Sequence, residues 1–151
     1  MAVITIIGAG MMGSGMSRPA RDNGHEVRLV GTPLDRIIIS EAKISSRHVP
    51  MKRQLPDGIK YFQIEELDKA LDGAEYVICG VSSFGVEWFK NEIIPKLHPG
   101  VPVLSITKGL LNLPGGAVKT FPEYFKESLP ENLIGKVSDR KSTRLNSSHA
   151  T

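Results

Sequence analysis

Cysteine is nearly missing from this chain of 151 residues. Cys79 stands alone, so no internal disulfide can staple the fold. It lies in the apolar run 76–81 and reads as a small buried hydrophobe rather than a nucleophile. A reducing compartment, the cytoplasm, fits that usage. Aromatic residues make up only 6%, which suits aliphatic strands covered by helices. No apolar run is long enough to span a bilayer. The N-terminus enters an apolar strand directly, without the basic segment and apolar core of a secretory leader. No membrane partner is therefore expected. Also lacking is a basic face interleaved with aromatics. The formal net charge is +3 and the pI about 9.1, but Arg140, Lys141 and Arg144 against Asp139 place two of those charges in the last 13 residues. A nucleic-acid partner is not expected, and neither is a metal site.

What the chain does have is concentrated at its start, in Val3-Ile4-Thr5-Ile6-Ile7-Gly8-Ala9-Gly10-Met11-Met12-Gly13. A β-branched run leads into glycines at the G-x-G-x-x-G spacing, and a helical segment follows. Gly8 allows the sharp turn off the strand, Gly10 lets a pyrophosphate approach the backbone, and Gly13 lets the helix pack close to the strand. The unpaired N–H groups and positive dipole end of that helix then face the phosphates. The expected cofactor ligands in this loop are Gly8, Ala9, Gly10, Met11, Met12 and Gly13.

The remaining pattern alternates strands with helices. Residues 3–7 predict a strand buried on both faces. Residues 11–22 predict a helix in which Pro19 crowds the carbonyl of Gly15, so a kink or early loosening is expected. Gly24 is its expected left-handed cap. Further strands are predicted at 26–30, 59–62, 76–81 and 101–106, with the entry to another at 132–138. Further helices are predicted at 34–46, 64–71, 85–97 and 121–128. The stretch 47–56 reads as a polar connection without period, and 110–116 as a loop. His25 and His98 sit in turns and are expected to be solvated; Arg47 and His48 receive no role. The fold class is α/β, a doubly wound parallel sheet of the Rossmann type that binds NAD(P).

In such a sheet the ligand lies over the carboxyl ends of the strands. That rule selects the loops 8–13, 31–36, 82–84 and 107–108. An acid at the end of the second strand would bind a ribose 2′-OH and favour NAD, but that place is Gly31-Thr32. Thr32 and Arg36 are the cofactor candidates there. Arg36 either meets a 2′-phosphate or starts a solvent-facing helix, and Asp35 can cap that helix. NAD against NADP stays open, with a lean away from strict NAD. Ser82 and Ser83 either contact cofactor or cap the next helix. Phe84 either packs on a nicotinamide or enters the core. Lys108, between Thr107 and Gly109 past a buried strand, is placed to hold an anionic or carbonyl substrate.

Four blocks occur in the order and spacing of NAD(P)-dependent glycerol-3-phosphate dehydrogenases, which the chain resembles over residues 3–138. They are Ile6-Ile7-Gly8-Ala9-Gly10-Met11-Met12-Gly13-Ser14, Asn23-Gly24-His25-Glu26-Val27, Val81-Ser82-Ser83-Phe84 and Ser105-Ile106-Thr107-Lys108-Gly109-Leu110. The resemblance implies an enzyme interconverting sn-glycerol 3-phosphate and dihydroxyacetone phosphate with NAD or NADP, feeding phospholipid synthesis. It implies a small-molecule substrate, a homodimer of the full-length enzyme, a cofactor-binding glycine loop, and Lys108 in the substrate site as the catalytic residue. The family's loop at Phe84 often carries a proline that this chain lacks. Family members continue into a helical C-terminal domain that supplies a second lysine and most contacts to the substrate phosphate. The chain as given is expected to bind cofactor weakly without turnover. Two other readings stay open: a related dehydrogenase acting on a hydroxy acid, keto acid or imine, and a non-catalytic NAD(P)-sensing module.

Residues 139–149, Asp-Arg-Lys-Ser-Thr-Arg-Leu-Asn-Ser-Ser-His, resemble one reading frame of an indexed sequencing adapter, residue for residue. The expected division is a cofactor-binding domain over 1–138, incomplete at its C-terminal edge, and a disordered adapter-derived tail over 139–151. Reading the source DNA across codon 138 tests this.

Overall fold

A computed structural model describes residues 1–98 and 100–106 (Ser83 by its backbone alone) and the backbone of 110–112, 118–120 and 137–139. At the centre is β1 (Val3–Ile7). It pairs parallel with β2 (Glu26–Val30) on one side, where Val3 faces Glu26 and Ile7 faces Val30. On its other side it pairs parallel with β6 (Tyr76–Cys79), Ile7 facing Cys79. Outside β2 lies β5 (Lys60–Phe62); outside β6 lie β7 (Val103–Ser105) and then β10 (Val137–Asp139), every pairing parallel. The sheet order is β10-β7-β6-β1-β2-β5. Numbered along the chain, those six strands stand 3-2-1-4-5-6, the doubly wound order whose switch point falls between the first and fourth. The chain ends up on one side of β1 before Phe62 and on the other from Tyr76 onward.

The parallel strands are apolar on both faces because helices cover both. Alternation sends Ile7, Val30, Val77 and Cys79 to one core with Leu71, Phe89 and Ile93. It sends Ile6, Val27, Leu29 and Ile78 to the other with Ile39, Ala42 and Ile106. Helix α1 (Met11–Asp22) approaches the sheet closely because its buried positions are small: Gly13, Ser14 and Ser17. The helix is unbroken to Asp22. The predicted early loosening at Pro19 is absent; Pro19 and Gly15 are both exposed, which leaves the carbonyl deprived of its donor open to solvent. Gly24 closes it at φ +82.

Helices α2 (Arg36–Ser45) and α3 (Leu67–Leu71) are each entered through a 3-10 turn, Pro33–Asp35 and Ile64–Glu66, with a reciprocal capping box. The predicted helix 85–97 is a composite run. It comprises the 3-10 turn Ser83–Gly85, the α-turn Val86–Trp88, the π-helical Phe89–Ile93 and the 3-10 turn Ile94–Lys96. Pro95 has no N–H to give residue 91, so that last turn lacks one α-helical bond.

Three expectations are corrected. The stretch 47–56 contains a small antiparallel ribbon, β3 (Arg47–His48) against β4 (Arg53–Gln54); strands of two residues carry no visible period. Residues 110–112 are not loop but β8 (Leu110–Asn112), antiparallel to β9 (Val118–Thr120). Leu110-Leu111-Asn112 has no alternation of its own, so the pairing partner decides it. His25 is not simply solvated, since its Nδ1 accepts from the Ala2 N–H at 3.0 Å. The predicted helix 121–128 lies outside the described residues. The edge strand β10 reaches Asp139.

Candidate dinucleotide site

The three fingerprint glycines meet three different surroundings. Gly8 has φ +110, and a Cβ there would lie 2.7 Å from the Gly80 carbonyl. A Cβ on Gly13 would lie 1.9 Å from the Gly8 oxygen, and one on Gly80 would lie 2.8 Å from the Gly13 Cα. Gly8, Gly13 and Gly80 therefore pack backbone against backbone. A Cβ on Gly10 would meet nothing within 4 Å, so this is the open approach. Gly80 was not among the sequence candidates, because it reads as one residue of a continuous apolar strand.

The N–H groups divide in the same way. Gly8 donates to the Val30 carbonyl at 2.8 Å, and Ala9 donates to Asp35 Oδ2 at 3.0 Å. Both are committed to protein. Gly10 is the N-cap of α1 at φ −72 and ψ −169, and its carbonyl accepts the first helical bond, from Ser14 N at 3.0 Å. The N–H groups of Met11, Met12 and Gly13 have no intrahelical acceptor, and with the dipole end they form an anion site. The side chains of Met11 and Met12 are exposed.

A cleft of about 340 Å³ opens here, lined among others by Gly8, Gly10, Thr32, Asp35, Ser82 and Phe84. The structure thus brings the loops after β1, β2 and β6 to one place, as the strand-end rule requires. Phe84 is 97% exposed and Leu34 94%, so Phe84 stands at the lip and core packing is excluded. Ser82 lines the cleft, is exposed, and occupies the N-cap position of its turn without a side-chain cap bond. Ser83 lies in the following 3-10 turn. Thr32 Oγ1 accepts from Leu34 N at 3.3 Å and donates to Asp35 Oδ2 at 3.0 Å. Arg36 does not line the cleft; it is exposed, paired with Glu65, and its carbonyl accepts from Gln63 Nε2 at 3.0 Å. Lys108, with Thr107 and Gly109, lies outside the described residues.

Two groups that matter here received no site role from the sequence. Asp35 is more than a helix cap: one oxygen also holds the Ala9 N–H. His48 is fully buried, with its Nε2 2.7 Å from the Ala9 carbonyl. A histidine in a polar stretch gave no signal, since Ala9 is 39 residues away in the chain. Among the described residues lining the cleft Asp35 is the one ionisable side chain, and it is engaged in holding backbone. The described part of the site thus offers backbone donors at the start of α1 and one committed carboxylate. The carboxylates held below their ordinary range, Glu26 and Glu66, do not line it. Among the described residues no group of three His, Cys, Asp or Glu is placed to hold a metal.

A parallel sheet in this strand order, with a glycine turn and a helix N-terminus at its switch point, defines a dinucleotide-binding domain of the Rossmann class. Comparison with known families is more particular. The chain belongs to the family described as the NAD-dependent glycerol-3-phosphate dehydrogenase N-terminus, whose model matches residues 3–139. It is 40% identical over 121 residues to the NADP(+)-dependent glycerol-3-phosphate dehydrogenase of Archaeoglobus fulgidus, covering 80% of this chain and 35% of the relative. It is 32% identical over 111 residues to the glycerol-3-phosphate dehydrogenase [NAD(P)+] of Shouchella clausii, covering 73% and 32%. The glycerol-3-phosphate dehydrogenase structure of Plasmodium falciparum superimposes with a TM-score of 0.71 at 21% identity, over 85% of this chain and 38% of that one, a likeness of fold. The chain spans about a third of the length of the curated relatives it matches. No helix among the described residues is long and apolar enough to cross a membrane.

Proposed function

We propose that this chain is the cofactor-binding part of an NAD(P)-dependent oxidoreductase that interconverts sn-glycerol 3-phosphate and dihydroxyacetone phosphate, in the cytoplasm, for glycerophospholipid synthesis. The observation that carries the reading is the open cradle at Gly10, set beside uncommitted N–H groups at the start of α1. The relationship to the Archaeoglobus enzyme supports the choice of substrate. Met11, Met12 and Gly13 would hold the pyrophosphate through their backbone, and Thr32, Ser82 and Phe84 would flank the two nucleoside ends. The bound nicotinamide supplies hydride transfer. Lys108 is assigned to the substrate by its place after β7 and the Thr-Lys-Gly resemblance. A homodimer of the full-length enzyme belongs to the same proposal.

The 151-residue chain is expected to bind NADPH without using it to reduce dihydroxyacetone phosphate, since the described cleft holds grip and no proton-transfer group. Fluorescence titration with NADPH, followed by an assay of turnover on the same sample, checks both halves. Turnover would overturn the division of labour; no binding would overturn the reading itself.

Cofactor choice follows from β2. No acid stands at its end, and Asp35 is engaged with Ala9 and Thr32. A ribose 2′-OH therefore finds no uncommitted carboxylate. NADPH is expected to bind at least as tightly as NADH. Arg36 is the proposed 2′-phosphate group, since its exposed ion pair with Glu65 is worth less than about 1 kcal/mol and is readily exchanged. In parallel titrations Arg36→Ala should weaken NADPH several-fold more than NADH; equal losses would remove Arg36 from the site.

A further inference from the structure

The glycine loop is gripped from behind at a single residue. Ala9 is fully buried. Its N–H donates to Asp35 Oδ2 at 3.0 Å, while its carbonyl accepts from His48 Nε2 at 2.7 Å and from Ser14 Oγ at 2.9 Å. The tautomer of His48 follows from its other nitrogen. Met51 N–H donates to Nδ1 at 3.2 Å, so Nδ1 is the acceptor and Nε2 carries the proton given to Ala9. Asp35 is fixed in turn, since the same oxygen accepts from Thr32 N at 2.9 Å and Thr32 Oγ1 at 3.0 Å. Neither side chain is needed to satisfy the strand ladder. Asp35 holds the peptide before Ala9, and His48 holds the one between Ala9 and Gly10.

We propose that His48 and Asp35 are positioning residues that hold opposite ends of Ala9, and so aim the N–H groups of Met11 and Met12 at an incoming pyrophosphate without touching it. A buried imidazole carries this role well. It is rigid, its proton is fixed on one nitrogen, and the ribbon β3–β4 anchors its backbone. The arrangement also separates positioning from folding. Without His48 the Ala9 carbonyl still accepts from Ser14 Oγ, so no buried oxygen is orphaned, and what is lost is direction. The proposal rests on the dinucleotide reading above.

The test uses the 151-residue chain, NADPH titration, thermal melting and amide NMR. His48→Leu is expected to weaken NADPH about tenfold, because a displaced donor array costs far more affinity than stability. In His48→Gln the amide Nε2 can donate to Ala9, and affinity is expected to return to within about threefold, both variants melting within about 4 °C of the parent. Asp35→Ala should also weaken binding, and the double variant should lose less than the sum of the two, since both fix the one residue Ala9. Three results would each overturn the proposal: unchanged affinity in His48→Leu, losses that track melting temperature in both His48 variants, or strictly additive losses. If the parent binds no NADPH, the functional reading fails and positioning is judged by NMR alone. The Gly10, Met11 and Met12 amides should then shift in His48→Leu and stay near the parent in His48→Gln; unmoved amides in His48→Leu would refute it.

Discussion

Gly13→Ala is expected to destabilise the fold by about 3 kcal/mol or more, at the upper end of overpacking costs. Two effects compete. Alanine is the better helix former by about 1 kcal/mol, and Gly13 lies inside α1. The added Cβ would lie 1.9 Å from the Gly8 oxygen and 3.0 Å from its carbonyl carbon. These are backbone atoms at the end of a central strand, and no side-chain rotation relieves them. The clash wins, and α1 can move away only by breaking its contact with Gly80. Gly10→Ala is the paired control. Its Cβ meets nothing within 4 Å and its φ of −72 suits any residue, so melting should be unchanged or slightly raised through loss of unfolded-chain freedom. NADPH affinity, in contrast, should fall about tenfold or more, roughly 1.4 kcal/mol, because the methyl occupies the pyrophosphate's approach. The two glycines of one motif should thus separate cleanly in denaturation and titration. A Gly13→Ala protein that melts like the parent would refute the packing, and a Gly10→Ala protein that binds like the parent would refute the approach.

How much of this was legible in the sequence depends on the range over which each residue acts. The strands at 3–7, 26–30 and 76–79 and the helix at 11–22 announce themselves by local period, and the glycine spacing places the turn. Thr32, Ser82 and Phe84 were findable because a strand-end rule needs only element boundaries. The two short antiparallel ribbons were not, since strands of two or three residues are specified by their partners. Arg36 is turned to Glu65, 29 residues away, and His48 to Ala9, 39 residues away; neither pairing leaves a trace in local composition. Gly80 was hidden inside an apolar run. Asp35 was seen as a cap, which it is, but its second bond, to Ala9, needs the fold.

Arg28 shows the same long reach and carries the second large expected effect. The side chain is 15% exposed on β2. Its Nη1 donates to the carbonyls of Ala70, at 3.1 Å, and Asp72, and its Nε to Glu26 Oε2 at 2.8 Å. Thr5 Oγ1, on the neighbouring strand, donates to the same Ala70 carbonyl at 2.5 Å. Helix α3 has five residues, far too few to persist unaided, and its final carbonyls have no intrahelical donors. A guanidinium at that end satisfies them and complements the dipole. Arg28→Ala should therefore cost about 2 kcal/mol, the range for removing a charged hydrogen-bond donor from a partly buried network. Arg28→Lys should recover less than half, because an ammonium cannot span Glu26 and the helix end together.

The cost should also depend on pH. Glu26 is held below its ordinary range by its bond to Lys60 first and Arg28 second. A carboxylate with a depressed folded pKa adds stability above its unfolded value of about 4.3, and loses it as pH falls through the folded value. Removing Arg28 moves the folded value back up and shrinks that contribution. The gap between parent and variant should then narrow below about pH 4, leaving the part owed to the α3 carbonyls, which do not titrate. Urea unfolding at pH 7 and pH 3.5 measures both parts: a gap constant with pH would show that Glu26 gains nothing from Arg28, and no gap at pH 7 would show that the α3 end holds without it.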